Sequence, residues 1–410
     1  MVQLGLGDSI TLPCGVKIKN RFLKSAMSES LATVDHAPTE ELCRLYGVWA
    51  QGGSGLVVTG NVMIDSQALG EPRNVVIENE RDLAELQRLA RKGTEHNTHL
   101  WVQLNHPGKQ SLKLLSKEAV APSAIPLGPG YDRLFAPPRE LKEQEIEALI
   151  ERFARAAEIG KKAGFTGVQI HAAHGYLINQ FLSPLHNQRS DGWGGSLENR
   201  MRFVIEVYQA IRDRVGSEYP VGIKLNSTDF MKGGFSEEES MAVIKKLAEL
   251  GIDLIEISGG NYESPNFVGK NLQPAQGSRE AYFLDFAEKA KGVTDTPMAV
   301  TGGFRSARGM KLALENGVEM VGLARSMAVD PDLPNRILQG EPYESPIRPI
   351  QTGIKVIDRI ALLEVTWYEQ QIERISKGKP TKPYYPPLLS LLQTIWKSGG
   401  QVFQKRRASK

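Results

Sequence analysis

The stretch Gly167-Val-Gln-Ile-His171-Ala-Ala-His174-Gly-Tyr176-Leu-Ile-Asn-Gln-Phe-Leu-Ser-Pro184 runs a short β-type segment straight into two imidazoles and a phenol. Reactive side chains just beyond a strand suit a (β/α)8 barrel, whose site is built at the C-terminal strand ends. Beside Gly167–His171, seven segments repeat the arrangement: Phe22–Ala26, Gly55–Thr59, Leu100–Leu104, Val221–Leu225, Leu254–Ile257, Met298–Thr301 and Met320–Leu323. Helical patterns separate them. One starts at Thr39, and Glu143–Ala163 places Ile146, Leu149, Ile150, Phe153 and Ala157 at helix spacing. Ser236-Glu-Glu-Glu239 is a capping box for a helix stopped by Gly251, and Ser306–Asn316 ends likewise at Gly317. Eight such repeats over roughly 320 residues predict an α/β TIM barrel rather than a doubly wound sheet. No G-x-G-x-x-G follows a strand, which removes the dinucleotide fingerprint of the latter. Ile10–Ile18 reads as a hairpin turning at Pro13 to Gly15, ahead of the first barrel strand.

Composition agrees with one large barrel plus an appendage. The chain has 410 residues, 41% apolar and 24% charged, which suits a packed core and excludes a disordered or fibrous chain. The net charge of +3 gives no reason to expect nucleic acid, but it is unevenly spread. Nine of the 50 basic residues fall in Arg374–Lys410, which has no Asp or Glu, so the body carries −6 and the tail +9. Cys14 and Cys43 match no metal spacing and no disulfide framework, so a reducing, cytoplasmic setting is expected and no metal site. The N-terminus lacks a signal-peptide pattern, the last residues match no lipidation signal, and no apolar run is long enough to span a bilayer.

The residues following the strands are unusually polar: Ser25 and Ser28, Thr59 to Asn61, Gln103 with Asn105 and His106, His171 with His174, Lys224 with Asn226, Ser258 to Gly260, Thr301 to Gly303, and Ala324 with Arg325. Imidazole N–H groups can hold a carbonyl oxygen and stabilise charge developing there, and a held phenol can act as a general acid. A zinc pair needs further ligands that no nearby pattern supplies; structural histidines are the plainer alternative. Val300-Thr-Gly-Gly303 and Val321-Gly-Leu-Ala-Arg325 sit where barrels often bind phosphate, though their glycines also suit simple turns. Lys224 on an apolar strand needs an anion, either a ligand or a barrel carboxylate. Gln103 reads equally as a ligand contact or as a satisfied buried amide.

The run His171–Pro184, followed by Asn187-Gln-Arg-Ser-Asp-Gly-Trp-Gly-Gly-Ser-Leu-Glu-Asn-Arg200, resembles the signature of the Old Yellow Enzyme family of FMN-dependent NADH:flavin oxidoreductases, over roughly residues 5–340. The resemblance implies FMN as cofactor and NADH or NADPH as co-substrate. It implies Ser25, Ala26, Met27 and Ser28 along the flavin, Gly60 and Gln103 at its ring edge, and Lys224 on its pyrimidine side. Gly302, Gly303, Ala324 and Arg325 would hold the phosphate. His171 and His174 would bind the carbonyl oxygen of an α,β-unsaturated substrate, His171 counting also among the cofactor contacts, and Tyr176 would give the proton. Lys224 stands where Arg is frequent, Ala26 where Pro is common, Ser28 where Thr or Cys is usual, and Trp193 where Tyr is usual. The iron–sulfur branch of the family is excluded, because its cysteine cluster is absent.

Alternatives to alkene reduction are an NAD(P)H oxidase or quinone reductase, or a barrel without catalysis that serves as a scaffold. The sequence leaves substrate, nicotinamide preference and homo-oligomerisation open. Residues 1–345 are assigned to the barrel and 346–410 to an extension. There Ile354–Ile375 reads as a helix, 377–387 as a Pro-rich linker, and Leu388–Trp396 as an apolar run before the basic end. Packing on the barrel or a neighbouring subunit is expected for that run, with contact to an anionic membrane surface as the alternative.

Overall fold

The computed structural model describes residues 4–116, 118–264, 280–354 and 362–394. Eight strands form the barrel: β1 (Phe22–Lys24), β2 (Leu56–Met63), β3 (His99–Asn105), β4 (Gly167–Ala172), β5 (Val221–Asn226), β6 (Leu254–Ser258), β7 (Met298–Thr301) and β8 (Met320–Leu323). All pair in parallel, and the sheet closes where β1 meets β2 at Leu23↔Leu56 and β8 at Val321↔Phe22. Parallel strands buried on both faces read as near-continuous apolar runs, which is why all eight were legible. Most boundaries differ by one or two residues, β1 ending at Lys24 rather than Ala26, and the largest shift is in β2, which extends four residues past Thr59 through a register shift between Val58 and Asn61 against β3. A bulge there places Gly60 and Asn61 within the strand instead of after it.

The surrounding helices are α1 (Glu40–Gln51), α2 (Leu83–Gly93), α3 (Glu143–Ala163), α4 (Leu197–Val215), α5 (Glu237–Glu249), α6 (Leu284–Ala290), α7 (Ala307–Glu315) and α8 (Leu333–Leu338). Thr39, Ser236 and Ser306 cap α1, α5 and α7 through their hydroxyls, and the capping box at Ser236 is complete. Along α3, Ile146, Phe153 and Ala157 are fully buried, each large side chain contributing about 1.5–3 kcal/mol.

The predicted hairpin forms from Ile10–Thr11 and Lys17–Ile18. Its Ile10, Leu12 and Ile18 pack with Leu23, Leu56, Trp101 and Met320, forming a small core at the N-terminal end of the barrel. Trp101 fills that end so closely that a Cβ at Gly167 or Gly222 would lie 2.4 or 2.7 Å from its ring. Chemistry is thereby confined to the opposite mouth.

Beyond the barrel, helix α9 (Leu362–Ser376) packs on α1 and on the short helix Arg325–Val329. It coincides with most of the expected helix; residues 355–361 lie outside the described residues. Residues 387–394 are helical and joined to α9 by Gln370 Nε2 donating to Ser390 O at 3.0 Å, while Leu388, Leu389 and Leu392 stay exposed. The last part of that apolar run and the basic end, 395–410, lie outside the described residues. Among the described residues no helix is long and apolar enough to cross a membrane.

Candidate active site

A cavity of about 2000 Å³ opens at the C-terminal strand ends, larger than the roughly 300–1,000 Å³ that one small ligand needs. Ala26, Met27, Ser28, Gln103, His171, His174, Tyr176, Lys224, Gly302, Gly303, Ala324 and Arg325 all line it. Two expected residues do not. Ser25 is fully buried, its hydroxyl 2.7 Å from Thr301 Oγ1. The Gly60 N–H is directed to Glu29 Oε1 at 3.0 Å and the Tyr46 hydroxyl at 2.9 Å, because the β2 bulge turns it away.

One wall of the cavity is a hydrogen-bonded chain across five strands. Gln103 Nε2 donates to Gln169 Oε1 at 2.7 Å, and Gln169 Nε2 to Glu256 Oε2 at 2.7 Å. Lys224 Nζ and Thr301 Oγ1 both donate to Glu256 Oε1, at 2.9 and 2.6 Å. Lys224 therefore has a barrel carboxylate as partner and still faces the cavity, and the Gln103 carbonyl oxygen remains directed by an amide whose N–H is committed. Burial alone would push the Glu256 carboxyl up, but the Lys224 ammonium with the Thr301 and Gln169 donors holds it below the usual range.

The His171, His174 and Tyr176 rings cluster at one end of this wall. His171 lies edge-to-face with His174 and Tyr176, centroids 5.1 and 4.9 Å apart. Burial, then the neighbouring His174 and Lys224, holds the His171 imidazole well below its ordinary pKa, so it is neutral near pH 7. Its Nδ1 accepts from Ala173 N–H at 3.3 Å, which leaves Nε2 to carry the proton and face outward as a donor. His174 is neutral for the same reasons of burial and Lys224, with Nε2 2.8 Å from Ser258 Oγ. The left-handed backbone of His174, φ 62°, lets the chain leave β4 sharply enough to bring its ring back beside His171. Tyr176 is 4% exposed, and burial pushes its phenol well above its ordinary value, keeping it protonated.

Residues outside the expected set complete the site. Asn61 Nδ2 donates to the Tyr176 oxygen at 3.3 Å, and the Tyr262 hydroxyl lies 3.0 Å from it. Asn61 stood in the polar ring of strand ends, whereas Tyr262 sits in an irregular segment that no motif marks. Ser28 Oγ lies 2.7 Å from Glu71 and 2.5 Å from Glu369, the latter on α9. Burial and the Glu369 carboxylate push Glu71 up to about 7. Arg325 Nη1 pairs with Glu364, also on α9, at 2.8 Å. A helix outside the barrel contributing to the mouth left no signal in the strand pattern.

The donor set fits a flavin mononucleotide. An amide edge at Gln103 and a cation at Lys224 suit the polar side of the ring. Gly302 and Gly303, at φ 112° and 89°, with Arg325 beyond them, form a cradle that suits a phosphate. A Cβ at Gly303 would come within 2.2 Å of Glu280 O, so the backbone can hold that turn only without a side chain.

The family model for the NADH:flavin oxidoreductase / NADH oxidase family matches residues 10–344. The chain is 38% identical over 364 residues to the NADH-dependent flavin oxidoreductase iliE of Hypocrea jecorina, covering 82% of this chain and 90% of that protein. Among solved structures it resembles a 2-naphthoyl-CoA reductase, with TM-score 0.76 and 28% identity over 82% of this chain and about half (52%) of that one. It also resembles the old yellow enzyme homologue of Zymomonas mobilis, with TM-score 0.72 and 27% identity over 84% and 95% of the two chains. The chain therefore belongs to the NADH:flavin oxidoreductase / NADH oxidase family, as an oxidoreductase of the Old Yellow Enzyme kind that works with FMN and NAD(P)H.

Proposed function

We propose that the protein reduces the activated C=C bond of α,β-unsaturated carbonyl compounds at the expense of NAD(P)H. The observation that carries this reading is the clustering of two neutral imidazoles and a protonated, buried phenol in one cavity with Lys224 and Gln103. FMN, when bound, supplies the hydride for the β-carbon after receiving one from NAD(P)H. His171, through its Nε2 proton, and His174 hold the substrate's carbonyl oxygen. Neutral imidazoles donate there without bringing a positive charge that Lys224 would oppose. Tyr176 donates its hydroxyl proton to the α-carbon, steadied by Asn61. A 2-naphthoyl thioester, named in one solved relative, is itself a conjugated carbonyl compound and so of the same chemical kind.

Tyr176→Phe tests the assignment. It should retain bound flavin, and its loss should fall on the alkene step, by about 10²–10⁴-fold. An unchanged enone reduction rate would instead favour an oxidase or quinone reductase, for which the phenol is dispensable.

A further inference from the structure

Tyr176 is almost wholly buried, and the tyrosine beside it is less so. Tyr262 is half-buried in the wall of the same cavity, its hydroxyl 3.0 Å from that of Tyr176. Its position is held from two sides. The Tyr131 hydroxyl donates to Tyr262 O at 2.6 Å, and the Phe135 ring lies against its own at 6.2 Å between centroids. On the next residue, the Glu263 carboxylate accepts the Gly128 N–H at 2.8 Å. Across the cavity, Asn105 Nδ2 donates to Asn61 Oδ1 at 3.2 Å, which fixes the Asn61 amide with its N–H toward Tyr176. The Tyr176 oxygen thus lies between one side-chain N–H and one phenol.

A phenol that protonates carbon becomes a phenolate, and this cavity disfavours one. Burial, the Tyr262 phenol and the Glu71 carboxyl all push Tyr176 up, and burial with Glu71 does the same to Tyr262. A transient negative charge on Tyr176 therefore needs donors aimed at it and a route by which a proton returns.

We propose that Tyr262 is a positioning residue and proton relay for Tyr176 in the alkene step. The inference rests on the reading of Tyr176 as the acid. As the Tyr176 O–H bond breaks and the α-carbon–H bond forms, the charge moves from the substrate's enolate to the Tyr176 oxygen. The Tyr262 O–H, donating to that oxygen, then passes its proton across. This restores the Tyr176 O–H and leaves a phenolate on Tyr262, which takes a proton from solvent at the cavity mouth. Hydride and proton together account for the two hydrogens gained by the alkene.

The test uses the FMN-loaded protein in stopped flow, with reduction by NADH and reoxidation by 2-cyclohexenone followed separately. Tyr262→Phe should slow reoxidation about 10- to 100-fold beyond any change in reduction, the value of a hydrogen bond to a charged group. In H2O/D2O mixtures the wild-type reoxidation rate should depend on deuterium content as for two moving protons, and that of Tyr262→Phe as for one. Tyr262→His, which can still relay a proton, should recover most of the rate. Reoxidation by Tyr262→Phe within about twofold of wild type overturns the relay while Tyr176→Phe still shows its loss. Equal losses in Tyr262→Phe and Tyr262→His assign the effect to packing and also overturn it. If Tyr176→Phe keeps the wild-type rate, the acid assignment itself falls, and the relay with it.

Discussion

At the scale of single residues, the cavity wall is decided by the buried pair Lys224–Glu256. Both side chains are almost inaccessible, and Glu256 also accepts from Gln169 and Thr301. Removing one member of such a pair strands the other charge in a low-dielectric interior, which costs about 3–5 kcal/mol. Glu256→Gln keeps the shape but replaces one of the two accepting oxygens by an NH2 group and leaves the Lys224 ammonium uncompensated. Urea unfolding should show a loss of about that size, and Lys224→Met combined with it should recover part of the loss. Full additivity of the two substitutions would show that they do not act as a pair. His171 follows the same logic in reverse: it stays neutral because burial and Lys224 make a second positive charge expensive.

At the scale of elements, α9 matters more to the site than its position outside the barrel suggests. Trp367 is 1% exposed, its Nε1 donates to Tyr385 O at 2.9 Å, and Ile372 is fully buried. Arg44 on α1 donates to Ser376 O at 2.6 Å and so ties the helix end to the barrel. The docked helix carries Glu364 to Arg325 and Glu369 to Ser28, which places one carboxylate on each of two cavity residues. Trp367→Ala should cost about 3–5 kcal/mol through the void it leaves. If docking of α9 steadies Arg325, the variant should also lose FMN on gel filtration, read as a lower ratio of flavin to protein absorbance. Wild-type flavin retention alongside the stability loss would confine the helix to a structural role.

At the scale of the whole molecule, pH acts on stability through groups of opposite sign. Burial and the nearby Lys109 hold His186 down at about 3, and burial holds His106 at about 4. Their folded pKa values lie below the unfolded one, so the unfolded chain binds more protons and stability is lost as pH falls through about 6.5. Glu71, pushed up from 4.5 to about 7, works the other way: its contribution is fully present below about 4.5 and is lost as pH rises from there through about 7. His186→Gln should therefore narrow the stability difference between pH 8 and pH 5 by about 2 kcal/mol, and Glu71→Gln should remove the stability loss that Glu71 causes between about pH 4.5 and pH 7, both read from denaturant unfolding at each pH. An unchanged pH 5 loss in His186→Gln would mean that this imidazole is already charged in the folded chain. Charge is segregated on the same scale, with −6 in the body and +9 from Arg374 onward.

The sequence by itself determined the eight strands, the capped helices, the hairpin ahead of the barrel, and the run from His171 to Tyr176. Each is a local property, written in apolar periodicity, capping residues or a contiguous motif. Only the tertiary structure decided which polar side chains meet. It turned Ser25 and Gly60 away from the cavity, because a bulge and a buried hydroxyl pair cannot be read from strand spacing. It also brought Tyr262 to Tyr176, Glu256 to Lys224, and Glu364 and Glu369 from α9 to the mouth. These partners lie 32 to 341 residues apart in the chain. Their proximity is set by barrel closure and helix docking, which leave no periodic trace in the residues that take part.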